Sequence, residues 1–153
     1  MPPRVPMSAE ALAYLSSVAG IVVIWCIYEW LGYKIVSVSV PLIASYAFLV
    51  PDSLYTITVS FLAAFVAGEV AYRRFLFYGM RLFLLYSVVS SLIVFLINYP
   101  RIDVGILLIS TLPGLLAYDV HSSQRRYTTL FLSAIFFTTQ LSLLCILVNF
   151  LEG

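Results

Sequence analysis

Polar residues interrupt this chain rarely and in clusters, and between the clusters lie six apolar runs. Four are long, at about residues 11–31, 53–72, 82–99 and 128–151. Two are short, at about 35–50 and 104–118. A helix crossing a hydrocarbon core of about 30 Å needs about 20 apolar residues. A sixteen-residue run rises only about 24 Å as a helix. Each short run also carries a proline, Pro41 in "SVSVPLIASYAFLVP" and Pro113, followed by Gly114, in "LLISTLPGLLAYD". None of the runs alternates apolar and polar residues as the strands of a membrane barrel do, which leaves helices as the structure that satisfies the backbone in lipid. The pattern predicts an all-α integral membrane protein. It is a helical bundle of about six membrane segments in two long–short–long repeats, the short segments broken at Pro41 and Pro113.

Composition agrees with the pattern. The 153 residues are 63% hydrophobic and 10% charged, with a mean hydropathy of +1.07, whereas soluble domains carry roughly 25% charged residues. Apolar runs fill the chain, so residues 1–153 read as one transmembrane domain. The first run is longer than the roughly 7–15 apolar residues of a signal-peptide core. Pro41 and Pro113 lie 72 residues apart, as do Glu29 and Arg101, which suggests repeats at 11–72 and 82–151.

Basic residues bear on topology. If all six segments cross, one side collects Lys34, Arg73, Arg74, Arg81, Arg125 and Arg126, and the other Arg4 and Arg101. That is a positive-inside bias with the N-terminus outside. If both short segments only re-enter, the division is four against four and the bias vanishes. Six crossings are therefore expected, with three per repeat, so that the second repeat would be inverted. Paired short segments interrupted by Pro or Gly are the pattern of transporters whose broken helices form a central site.

Candidate chemistry is sparse. Cys26 and Cys145 lie within apolar runs, and the one histidine, His121, has no cysteine or second histidine nearby in sequence. The sequence lacks a glycine-rich phosphate loop and a Walker lysine, so ATP chemistry is not expected from this chain. Charges gather at the loop ends: Glu29 with Lys34; Glu69, Arg73, Arg74 and Arg81; Asp119, His121, Arg125 and Arg126. They read either as interfacial anchors beside a tyrosine belt or as a rim that holds carboxylates through paired arginine hydrogen bonds. Glu29 and Glu69 lie nearest the hydrocarbon, where an acidic residue is costly unless paired or functional. The run "AAFVAGEVA" offers small residues for close helix packing. A small transporter coupling protons through Glu29 or Glu69, working as a homodimer, and a plain membrane anchor for a partner are the alternatives.

These features resemble the C subunit of poly-γ-glutamate (capsule) synthases. Glu29, Gly32 and "SVSVP" ending at Pro41, followed by Pro51, are similar to the family's glutamate, glycine and Val-Pro-Gly element. Tyr78, Gly79, Met80 and Arg81 resemble its Tyr-Gly-Arg-Arg, and "PGLLA" at 113–117 its Pro-Gly-Leu-Ile-Ala. Leu42, Met80 and Tyr118 depart from that pattern. The resemblance covers about residues 12–148 and implies a non-ATPase subunit of a plasma-membrane synthase and export complex. It implies as partners an ATP-dependent, Mur-ligase-like amide ligase carrying ATP and Mg²⁺, and a further membrane-anchored export subunit. The anionic polymer or a partner subunit would be bound by Glu29, Arg73, Arg74, Arg81, Pro113, Gly114, Asp119, Arg125 and Arg126. No metal site in this chain and no nucleic-acid partner is expected.

Overall fold

The computed structural model describes residues 7–152, so Arg4 lies outside the described residues. The described chain is mostly helical, with no strands: α1 (Met7–Leu31), α2 (Ser39–Leu49), α3 (Ser53–Phe75), α4 (Met80–Asn98), α5 (Val104–Ile109), α6 (Leu112–Ser122) and α7 (Arg126–Glu152). Five stretches are long and apolar enough to cross a membrane: α1, α3, α4, α5 with α6 taken together, and α7. Most large apolar side chains on these helices are exposed, as expected of surfaces whose solvent is lipid. The protein is an all-α, multi-pass membrane protein. It divides into two compact units, residues 1–51 with 128–153, and residues 52–127.

The first unit holds α1, α2 and most of α7. Gly32, at a positive φ of 73° that suits glycine, ends α1 with its N–H on the Tyr28 carbonyl at 2.8 Å. The chain then runs without helix to Ser39, where Ser37 and Ser39 hydroxyls bond each other at 2.8 Å and Ser37 Oγ accepts the Ser39 N–H. Pro41 is the third residue of α2. It does not break this helix, contrary to the sequence expectation, because a first-turn residue has no intrahelical acceptor for an N–H. Gln140 of α7 locks the unit: its Nε2 lies 3.1 Å from Ser16 Oγ, 3.3 Å from the Pro41 carbonyl and 3.4 Å from Ser45 Oγ.

The second unit packs α3, α4 and α6 around Tyr86, which is fully buried with Ala64, Leu82 and Ala117. Its ring fills a notch above Gly68 of α3, where any Cβ would overlap the ring. On the other side, a Cβ on Gly114 of α6 would overlap the Tyr86 backbone carbonyl. Two glycines thus let three helix backbones converge on one tyrosine, and the small-residue face of α3 reads Ser60, Ala64, Gly68 and Ala71.

The second short run extends further than its apolar stretch suggested and is broken earlier. The interruption falls at Ser110–Thr111, and Pro113 sits in the first turn of α6 rather than at the break. The freed backbone is already satisfied: Ser90 Oγ donates to the Ser110 carbonyl at 2.7 Å, and the Leu115 N–H to the Thr111 carbonyl at 3.0 Å. A cavity of about 490 Å³ borders this break, between α4 and α5, with Ser87, Ser91, Ser110 and Thr111 among an otherwise apolar lining.

The helices recur in register. α4, α6 and α7 each begin 73 residues after α1, α2 and α3, one residue more than the proline spacing. Buried positions recur with them: Ser17 and Ser90, Ala44 and Ala117, Thr56 and Thr129, Ser60 and Ser133, Ala71 and Leu144. Each unit contains the first two helices of one set of three and the third helix of the other.

Candidate functional site

The charged groups of the second unit converge at one end through Glu69. That residue lies six positions, about 9 Å of helix rise, before the end of α3. Its Oε1 accepts from Arg73 Nε, one turn further along, at 2.9 Å. Its Oε2 accepts from His121 Nδ1 of α6 at 3.1 Å and from Arg126 Nη1, the first residue of α7, at 3.3 Å. A carboxylate only accepts, so His121 carries its proton on Nδ1. Three helices are joined on one carboxylate.

His121 reaches Glu69 because the last turn of α6 lies in the core. The imidazole is buried, edge-on to Tyr72 with ring centres 4.8 Å apart and tilted against Tyr86 at 5.9 Å. Tyr72 also meets Tyr78 edge-on at 5.3 Å, fixing the turn between α3 and α4 against the same site. The Tyr86 hydroxyl is buried and has no hydrogen-bond partner among the described residues.

Of the residues expected from sequence, Arg73 and Arg126 are brought together. Asp119 is buried two residues before His121, and its carbonyl accepts the Ser123 N–H that closes α6. Arg74, Arg81 and Arg125 are exposed at the same end, from the end of α3, the start of α4 and the loop before α7. Five arginines there face two carboxylates, Glu69 and Asp119, so the end is basic. Glu29 belongs to the first unit, where it is exposed and accepts from Trp25 Nε1 of its own helix at 3.2 Å. Pro113 and Gly114 are buried, and Gly114 lies against the backbone of α4.

Sequence reasoning grouped Glu69 and His121 with the charged clusters, and Glu69 with the transporter alternative, but not with the residues expected to bind polymer or partner, and it left Tyr86 out. The Glu69–Arg73 spacing of four was a readable sign of a helical ion pair. Nothing in the apolar run of α4 distinguished Tyr86. Among the described residues no three His, Cys, Asp or Glu side chains gather as a metal site would require. No protein-family profile, curated protein or solved structure matches the chain.

Proposed function

We propose that this chain is the membrane subunit of a poly-γ-glutamate synthase and export complex of the plasma membrane, and that it receives the growing polyanion at the arginine-rich end of its second unit. The observation that carries the reading is the junction at Glu69, which holds the start of α7 and the end of α6 against α3. It leaves Arg74, Arg81 and Arg125 exposed beside it, with no ion pair among the described residues. Guanidinium groups recognise carboxylates through paired hydrogen bonds, and several in a row suit a chain of them. The family resemblance supplies the identity of the polymer, and with it a separate ATP-dependent amide ligase holding ATP and Mg²⁺ and a membrane-anchored export subunit.

The test is coexpression with a ligase and export subunit of such a system. Polymer output and copurification in mild detergent are expected only when all parts are present. Arg74→Lys, Arg81→Lys and Arg125→Lys together keep the charge but remove the paired donors, and are expected to cut output at least tenfold while the complex still assembles. Unchanged output would remove the rim from the reading.

A second reading, a small homodimeric transporter, draws support from the Glu69–His121 pair, two titratable groups within apolar helices. Proton-coupled uptake by the chain alone in proteoliposomes would favour it. Failure of both tests leaves a membrane anchor for a partner.

A further inference from the structure

We propose that Arg73, His121 and Arg126 form a carboxylate-binding site, and that Glu69 occupies it as an internal stand-in for the ligand. This rests on the reading of that end as the place where a polyanion is received. It adds how the site is held shut and what opens it.

Both oxygens of Glu69 are engaged, one by Arg73 and the other by His121 and Arg126. The three donors come from α3, α6 and α7, and their arrangement around a carboxylate does not depend on which carboxylate it is. The four side chains are also graded in depth. Arg73 is 74% exposed, Arg126 39%, Glu69 21% and His121 5%. An acidic group arriving from water therefore meets the two guanidiniums first and Glu69 beneath them. Exchange of one carboxylate for another keeps every donor paired, and the cost falls on the displaced Glu69, which must find water instead. It also frees Arg126 from Glu69 within the second unit.

The first unit supplies an internal comparison. The positions 73 residues away from Glu69, Arg73 and His121 are Ser142, Ile146 and Phe48, all in the first unit, and the position 73 residues before Arg126 is Ser53, at the start of α3. None is charged. Helices in matching register, with matching buried serines and threonines, thus form a unit with no such cluster. A tie of this kind is not something the packing of α3, α4 and α6 requires. A carboxylate ringed by three donors at an accessible basic end fits a ligand site.

Binding to the full-length chain in detergent tests this, with two probes: glutarate, a simple dicarboxylate, and a fluorescently labelled γ-linked glutamate decamer at low salt. Glu69→Gln removes the competing charge and is expected to tighten glutarate binding about three- to tenfold, the scale of a partly exposed ion pair. Glu69→Ser, carrying the residue that the first unit has at the equivalent position, is the second variant should glutamine mimic the acid or disturb the fold. Arg126→Ala is expected to weaken binding in either background. If both Glu69 variants keep their helix content and bind glutarate no better than the unaltered chain, Glu69 is a structural tie and the proposal is overturned. If they bind glutarate more tightly but the decamer no better than glutarate, the carboxylate site stands. The polymer reading is then what fails.

Discussion

At the scale of single residues, Tyr86 organises the second unit and also carries its clearest imperfection. The ring needs the missing side chain of Gly68, and the Tyr86 backbone that of Gly114, whereas the Tyr86 hydroxyl is buried without a partner among the described residues. Overpacking a core costs about 1–3 kcal/mol. Gly114→Ala meets backbone rather than a movable side chain, so it is expected at the upper end of that range, seen as a lowered melting temperature in detergent. Tyr86→Phe removes an unsatisfied polar group and keeps the ring. It is expected to stabilise by about 1 kcal/mol, and a loss of stability would mean that the hydroxyl has a partner. The sequence made the small-residue face of α3 legible, because Ala and Gly at helical spacing signal close packing. It could not show which large side chain fills the gap, since Tyr86 looks like any other residue of an apolar helix.

At the scale of elements, the apolar runs placed the helices to within a few residues, because in lipid the requirement to bury backbone groups leaves little else to form. The breaks were misplaced for an equally simple reason. Proline was read as the point of interruption, yet both prolines sit in first turns, where they cost nothing, and the interruptions lie ahead of them. What holds the second break is a hydroxyl on another helix. Ser90→Ala strips the donor from the Ser110 carbonyl and is expected to cost about 1 kcal/mol, within the range for such bonds in membranes. Faster hydrogen exchange confined to α5 and the first turn of α6 would accompany it. Exchange unchanged there would mean that the break is held some other way. The ionic junction was half legible: Glu69, Arg73 and Arg126 were each picked out, but nothing in the sequence showed that Glu69 also meets His121 and Arg126, which lie 52 and 57 residues further along.

At the scale of the whole molecule, charge alone does not decide how often the chain crosses the membrane. Were α2 not to cross, the five long stretches would still leave six basic residues on one side and two on the other, with the N-terminus moved to the basic side. Register decides instead. The 19-residue span Val104–Ser122 corresponds to residues 31–49, so the irregular stretch and α2 are expected to cross as one. Cysteines placed at Tyr33 and Val50, with Cys26 and Cys145 replaced, should then label from opposite sides. Labelling from a single side would leave five crossings. The division of helices between units has a different consequence, one of timing during synthesis. Residues 52–127 emerge as an unbroken piece, whereas α1 and α2 must wait for α7 and its Gln140. The 76 residues between Pro51 and Thr128 take about 4–15 s to translate at about 5–20 residues per second. For that interval the first unit stands open in the nascent chain, exposed to quality control in a way the second is not.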